Sequence, residues 1–468
     1  MMALNRFQTN DCFYYNTTDN YIQCHDSRQR EIRIATDDIV CIIPKHETIG
    51  NGYTMLFLGR RPRGASGDLQ DDCERLESVL FSSLPPELLS LHLCESVPCH
   101  LQTCGCETRE VHVILSTLSG TGRAKHIYHH VLQPLLRHFG LTDYDVHETD
   151  SPYTITDLCR SRFILNAESG VAQTIILLSG DGGLTDIVDT FHTALKTPSY
   201  PPTIALIPAG TGNAMASSVG IASRPVSALV TLLRGTPKPI PVFSATFSPG
   251  AQYITGKGRS RAHIADKSTN ESLPPRIYGA VVISWGMHAA LVADSDTVEY
   301  RRFGADRFKM AAKELLFPSG GAETHKYTGT VTFTRGDSQN EGERVETMET
   351  REHMYLLVTL VPRLEETFVI SPESKPLDGC LRMVHFGPLP PQHAMQLMSH
   401  AYREGQHVKE DQVYYSEITR LRIDFDEKDE KWRRVCIDGK IVVVEEEGWV
   451  EVNTGNRCAL NLLVPSDM

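Results

Sequence analysis

Asp181 stands between glycines in Ser179-Gly-Asp-Gly-Gly183, directly after the apolar run Thr174-Ile-Ile-Leu-Leu178. A carboxylate fixed in such a turn can face a phosphate, a metal or a hydroxyl, and it can accept a proton from an alcohol. Glycines let backbone N–H groups converge on an anion, and a helix beginning after the turn points its positive end at the same place. Taken alone, Gly-Asp-Gly is equally consistent with a plain tight turn carrying a solvated acid.

Two further segments repeat the pattern. Ile204-Ala-Leu-Ile207 runs into Pro208-Ala-Gly-Thr-Gly-Asn213, and Val111-His-Val-Ile-Leu115 runs, through Ser116-Thr-Leu118, into Ser119-Gly-Thr-Gly-Arg-Ala124. Helical patterns follow at Leu184, Ile187, Val188 and Phe191, at Ala214–Val219, and at Ala124–Phe139 with Ile127, Val131, Leu132, Leu135 and Leu136 on one face. Three strand–glycine–helix units within roughly a hundred residues suit βα units on a parallel sheet, whose turns gather at one edge as a ligand crevice. A second group of charges lies downstream, where Ser284-Trp-Gly-Met-His-Ala289 precedes Asp294, Asp296, Glu299, Arg301, Arg302, Asp306 and Arg307. Guanidinium forks match phosphate oxygens, although such a run also suits a helix face laced with surface ion pairs.

Ser119-Gly-Thr-Gly-Arg-Ala124, Ser179-Gly-Asp-Gly182 and Pro208-Ala-Gly-Thr-Gly-Asn213 together resemble the three nucleotide-site motifs of the diacylglycerol kinase catalytic domain, whose superfamily includes sphingosine, ceramide and bacterial lipid kinases. The resemblance covers about residues 109–242 well and thins toward the C-terminus. It implies an ATP- and Mg²⁺-dependent lipid kinase with Asp181 as general base. The implied ATP contacts are Ser119, Gly120, Gly122, Thr149, Ser179, Gly180, Gly182, Gly210, Thr211, Gly212 and Asn213. The segment through Tyr300-Arg-Arg302 and Arg307-Phe308 is similar to one in sphingosine kinases that closes over ATP, which implies that Arg301 and Arg307 hold the triphosphate. Asp294 and Asp296 are then candidates for a sphingoid headgroup. If the match instead runs without a gap from Ser284-Trp-Gly286, Ala290 and Val292 stand at the acid positions and a neutral lipid is favoured.

Three departures from the family pattern stand out. Ser116-Thr117 replaces the usual Asn-Pro. Asp186 stands where the family has a glutamate. Lys440, in Asp438-Gly-Lys440, replaces an acid that would face nucleotide or metal. The last and the first motivate a rival reading, a nucleotide- or lipid-binding pseudokinase. NAD kinase, with a Gly-Asp-Gly turn on a related fold, is another, but the Pro-Ala-Gly-Thr-Gly-Asn segment and the long β-rich part favour the lipid kinase. Walker A and Gly-x-Gly-x-x-Gly loops are absent.

The composition fits an ordinary globular protein of 468 residues, 41% hydrophobic and 22% charged, enough for two or three domains. A net charge of −12 argues against bulk nucleic-acid binding. Apolar runs fall short of the ~20 residues a spanning helix needs, and a signal-peptide core and lipidation motifs are missing, so the expectation is a cytoplasmic protein with reversible, peripheral membrane contact. Oligomeric state leaves no trace in the sequence. Twelve scattered cysteines suit free thiols. The cluster Cys94, Cys99, His100, Cys104 and Cys106 lacks paired knuckles and reads better as linker thiols than as a zinc site, so the sequence points to no protein-held metal.

The expected architecture is an α/β nucleotide domain of the NAD kinase/diacylglycerol kinase type at 109–242. A β-sandwich follows at 243–468, with loop insertions near 248–276 and 335–345. A small β-rich extension precedes it at 1–108, with strands at Tyr21–Cys24, Glu31–Ala35, Ile39–Ile43 and Tyr53–Leu58.

Overall fold

The computed structural model describes residues 6–8, 13–25, 31–47, 50–60, 74–103, 109–117, 119–120, 122–194, 198, 200–221, 224–256, 258–264, 274–301, 303, 306–336, 343–455 and 459–468. The three apolar runs read from the sequence lie within a six-stranded sheet. Its order is Thr236–Pro239, Asn461–Val464, Thr203–Pro208, Ala172–Ser179, Arg109–Leu115 and Asp145–Glu148. The central strand Ala172–Ser179 is buried along its whole length and runs parallel to both neighbours, so all three glycine motifs leave the sheet at the same end. One strand breaks the expected division of the chain. Asn461–Val464, placed by sequence in the β-rich part, inserts into this sheet beside Thr203–Pro208 and ties the end of the chain to the nucleotide side.

The helices keep their expected positions with two differences. The run from Ala124 to His138 contains a wider π-type turn at Tyr128–Leu132, just before Pro134. Proline lacks the N–H an α-turn needs and its ring crowds the preceding turn, so the helix widens there. A second π-type turn at Cys159–Phe163 interrupts the helical run Thr154–Glu168. Pro225–Arg234 ends at Gly235, but not through a left-handed cap: Gly235 has φ −63°, and a Cβ there would lie 2.5 Å from the Thr231 oxygen and 2.6 Å from that of Val464.

The β-rich part is a sandwich of two sheets. A seven-stranded sheet includes Phe243–Phe247, Tyr327–Arg335, Arg420–Phe425 and Trp449–Thr454. An eight-stranded sheet includes Val282–Gly286, Tyr355–Thr359, Leu381–Phe386, Arg434–Ile437 and Lys440–Val443. Phe243, Phe247, Phe333 and Val450 from the first meet Trp285, Leu356, Val358 and Val442 from the second in one apolar core. The chain passes from Arg276–Gly279 in one sheet to Val282–Gly286 in the other, crossing between sheets at Ala280-Val281. Part of the segment read as an insertion near 248–276 is the hairpin Gln252–Thr255/Ser260–His263 at the edge of the eight-stranded sheet, while 265–273 lies outside the described residues. Of the loop near 335–345, residues 337–342 lie outside them as well.

The N-terminal strands form a four-stranded sheet with order Arg6–Gln8, Glu74–Phe81, Gly50–Arg60, Ile39–Glu47, and a three-stranded sheet over Phe13–Ala35. Glu74–Phe81 was not read as a strand from sequence. This unit packs on the nucleotide side, where Cys41, Leu56, Leu58 and Leu76 join its core and Arg224 pairs with Asp38 at 2.7 Å and Glu74 at 3.1 Å. Among the described residues, no helix is long and apolar enough to cross a membrane.

Candidate active site

The three glycine turns meet backbone to backbone. A Cβ on Gly210 would lie 2.4 Å from the Gly180 Cα, and one on Gly120 would lie 2.5 Å from the Ala209 oxygen. Gly120 also has φ +53°. No side chain fits at these two positions, so the glycines are required by close approach as well as by conformation. Polar atoms knit the turns together. Gly180 N–H donates to Ser119 Oγ at 3.0 Å, and Gly210 N–H donates to Asn213 Oδ1 at 3.0 Å while the Asn213 amide donates back to the Gly210 carbonyl. Asn213 is buried with φ 55°, a left-handed conformation that asparagine tolerates better than most residues. Ser179 is buried at the end of the central strand, with Gly183 packed against its hydroxyl. Gly182 and Thr211 are exposed, and a Cβ on Gly182 would meet nothing within 4 Å.

The turn after the central strand is tighter than the sequence suggested. The helix begins at Asp181 itself and runs to Ala194. The Asp181 carboxylate serves the neighbouring motif: Oδ2 accepts the Ala214 N–H at 2.8 Å and Oδ1 the Met215 N–H at 3.0 Å. Each oxygen keeps a further lone pair, and the residue is partly exposed. Burial pushes this carboxyl above the ordinary aspartate value, while the two backbone N–H groups oppose the rise.

Thr149 is buried beside the first turn, where its hydroxyl accepts the Thr117 N–H at 3.0 Å and its carbonyl accepts the Thr117 hydroxyl at 2.7 Å. Thr117, one of the two residues replacing Asn-Pro, thus anchors the turn to the neighbouring strand. Gly122 has φ +75°, also left-handed.

From the sandwich side, the Leu364 carbonyl would be 3.2 Å from a Cβ on Gly212, and Ser218 Oγ donates to the Arg363 carbonyl at 3.1 Å. A third contact comes from the turn Asp438-Gly439. Buried Asp438, with φ 47°, accepts the N–H groups of Ala280, Val281 and Val282 at 2.7, 3.0 and 2.6 Å, which satisfies the donors freed where the chain changes sheets. Thr185, one helical turn beyond Asp181, reaches it at 3.4 Å. Burial pushes the Asp438 carboxyl up to about 6, and the nearby Asp181 charge adds to the rise.

Lys440 adds an ion pair to this junction. Its ammonium lies 2.6 Å from Asp186 Oδ1. Asp189, on the same helix, accepts the Tyr278 N–H at 2.9 Å and contributes to holding the Lys440 pKa above its ordinary value. Lys440 thus pairs with the helix that carries Asp181. Thr185 and Asp189 were not singled out from sequence, although their spacing from Asp181 and Asp186 puts them along one helix where neighbours at three and four residues meet.

The downstream segment is organised differently. Asp294 Oδ1 accepts from Arg434 at 2.7 Å. Arg307 Nη1 lies 3.9 Å from Asp296, and its guanidinium stands over the Phe308 ring. Arg301 closes the short helix Val298–Arg301, and its side chain lies outside the described residues. In the cysteine-rich linker, Cys94 is buried, Cys99 is exposed and His100 Nε2 contacts the Leu232 carbonyl at 2.7 Å, while Cys104 and Cys106 lie outside the described residues.

A parallel sheet whose three glycine turns meet beside a carboxylate, backed by a β-sandwich, is a fold of the diacylglycerol kinase type. Residues 110–245 match the model of the diacylglycerol kinase catalytic domain. Over 340 residues the chain is 23% identical to sphingosine kinase 2 of Arabidopsis thaliana, covering 65% of this chain and 63% of that protein. Over 76 residues it is 40% identical to sphingosine kinase B of Dictyostelium discoideum, covering 15% of this chain and 9% of that one. The chain thus spans less than two thirds of the length of either relative. Among solved structures, a Bacillus anthracis str. Sterne protein provisionally described as a diacylglycerol kinase superposes with a TM-score of 0.50 at 15% identity, covering 76% of this chain and 98% of that one. At that identity the likeness concerns the fold alone.

Proposed function

We propose that this chain is an ATP-dependent lipid kinase that phosphorylates a primary hydroxyl, with a sphingoid long-chain base as the first substrate class. The observation that carries the reading is the backbone junction of Gly120, Gly180 and Gly210 beside a partly exposed, N–H-oriented Asp181. The names of the two curated relatives support the sphingoid class. Exposed Gly182 and Thr211 leave backbone open to phosphate oxygens, and the residues Ser119, Gly122, Ser179, Gly212 and Asn213 shape that cradle. Mg²⁺, when bound with ATP, supplies charge neutralisation at the phosphates. Asp186 fits that ion poorly, because its carboxylate already holds Lys440.

The lipid hydroxyl approaches Asp181 from the sandwich side. Its oxygen forms a bond to the γ-phosphorus, the bond from that phosphorus to the ADP oxygen breaks, and the hydroxyl proton passes to a free lone pair of Asp181. The Ala214 and Met215 N–H groups hold the carboxylate in place, and burial raises its basicity. Arg307 and Arg301 are proposed to steady the triphosphate from the second domain, and Asp296 to meet a cationic headgroup. Asp294 already has a counter-charge in Arg434, which supports a neutral lipid, diacylglycerol or ceramide, as the alternative substrate class. The Lys440–Asp186 pair is what favours the pseudokinase as a second reading. Membrane contact is proposed to be peripheral and reversible, in a cytoplasmic protein.

Transfer of radiolabel from [γ-³²P]ATP to a lipid extract tests the reading, with purified sphinganine, diacylglycerol, ceramide and NAD as separate acceptors. Label in sphinganine supports the first class, and label in either neutral lipid moves the assignment to the alternative. Label in NAD alone, or in none of them, removes the lipid kinase.

A further inference from the structure

The outer edge of the six-stranded sheet holds a second convergence of reactive side chains. His112 lies opposite Asp145 in the register of the paired parallel strands, and His147 is two residues further along the edge strand, on the same face. His112 Nδ1 is 3.5 Å from His147 Nε2 and 3.9 Å from Asp145 Oδ2, and donor atoms of all three lie within 4.8 Å of one another. Two donors each ~2.0–2.1 Å from one tetrahedral zinc ion stand about 3.4 Å apart. The separation of the imidazole nitrogens is therefore close to that of ligands sharing an ion. The access is graded: His112 is fully buried, His147 half-buried and Asp145 half-exposed, so an ion can enter from solvent and seat against the strand.

We propose that His112, Asp145 and His147 form a binding site for a divalent transition-metal ion, with Zn²⁺ the best match and the fourth position open to solvent. Two imidazoles and one carboxylate suit zinc and its neighbours, whereas Mg²⁺ and Ca²⁺ require oxygen donors throughout. The surroundings match those of a histidine ligand. Glu110 Oε2 lies 3.2 Å from His112 Nε2, the ring nitrogen not offered to the ion; the two are not aligned as a hydrogen bond, but a small rotation would let the carboxylate orient a coordinating ring. Arg162 pairs with both carboxylates, at 3.0 Å to Glu110 Oε2 and 2.7 Å to Asp145 Oδ2, so Asp145 would meet the ion through its other oxygen, Oδ1. Phe163 packs against both rings and limits their rotation. Bound metal would clamp the edge strand Asp145–Glu148, which leads directly to Thr149 and, through it, to Thr117 of the first glycine turn. The site is independent of the assignment of Asp181.

The test uses the full chain stripped with a chelator, then titrated with ZnCl₂ in a calorimeter and with CoCl₂ by visible absorption. The wild type should bind one Zn²⁺, gain thermal stability from it, and give the intense visible band of four-coordinate cobalt without a near-ultraviolet thiolate band. His147→Ala should weaken zinc binding about 100-fold or more and lose the cobalt band, and Glu110→Gln should weaken it about 10-fold. A wild type without the cobalt band, a thiolate band, or equal zinc affinity in His147→Ala overturns the proposal and leaves an imidazole–imidazole hydrogen bond. If His147→Ala fails to fold, the wild-type cobalt spectrum decides alone.

Discussion

The glycine junction and the Asp294–Arg307 segment were both candidates for phosphate binding, and they are built in opposite ways. Around Gly120, Gly180 and Gly210 the contacts are backbone to backbone, and one carboxylate is aimed by two N–H groups. In the downstream segment the charges meet other charges: Asp294 takes Arg434, and Asp296 lies near Arg307. A site made from backbone is preorganised by the fold itself. A site made from paired side chains must exchange partners when a ligand arrives, and the pairing offsets part of the binding.

The largest effect should come from filling the backbone junction. In Gly210→Ala the new methyl meets the Gly180 backbone, where neither partner is a flexible side chain. A shift of the turns on the order of 1 Å should cut phosphoryl transfer about 100-fold, with about 1–3 kcal/mol of lost stability. Steady-state kinetics and thermal melts check this, and an alanine variant with normal turnover would break the contrast.

Lys440 tests the seam between the two regions. Lys440→Ala leaves Asp186 without its partner. Fully buried broken pairs cost ~3–5 kcal/mol, and because these side chains are 25% and 19% exposed, about 2 kcal/mol is expected here. Lys440→Glu should restore binding of a divalent ion at Asp186, so its melting temperature should rise with added Mg²⁺ where the wild type's does not.

Asp294→Asn should act more weakly. It removes the charge facing Arg434 and should cost about 1 kcal/mol of stability, with KM for a cationic lipid changed less than threefold. A tenfold rise in KM specific to sphinganine would instead make Asp294 a headgroup ligand and bring the two regions closer in kind.

The last test is in pH. Burial holds His92, His112, His288 and His407 down to about 4 and His385 to about 3. The native state then binds fewer protons than the unfolded chain, so stability is full above pH 6.5 and is lost as pH falls toward 4. Asp438 works the other way. Its carboxyl, raised from 3.8 to about 6, costs stability as pH rises through that window, so protonation relieves the native state on acidification. Melting temperature should fall from pH 7 to pH 4.5, and more steeply in Asp438→Asn.

What the sequence revealed follows from the same contrast. Glycines and apolar runs announce backbone geometry, so the three turns and their parallel strands were readable from Gly120, Gly180 and Gly210. Partners distant in sequence were not: nothing near Asp186 points to Lys440, nor anything near Asp294 to Arg434. The return of Asn461–Val464 to the first sheet was hidden for a similar reason, since a short buried strand carries no label for the sheet it joins. The tie that Asp181 makes to the neighbouring motif depends on Ala214 and Met215 N–H groups whose direction only the fold supplies.

The central claim separates two duties, a backbone cradle that holds ATP and a carboxylate that takes the proton. Measuring ATP affinity and lipid phosphorylation on the same preparation of Asp181→Asn tests it most directly. The account predicts an ATP Kd within about threefold of wild type and transfer reduced by about 10³-fold or more. Transfer at the wild-type rate in a folded variant would contradict it.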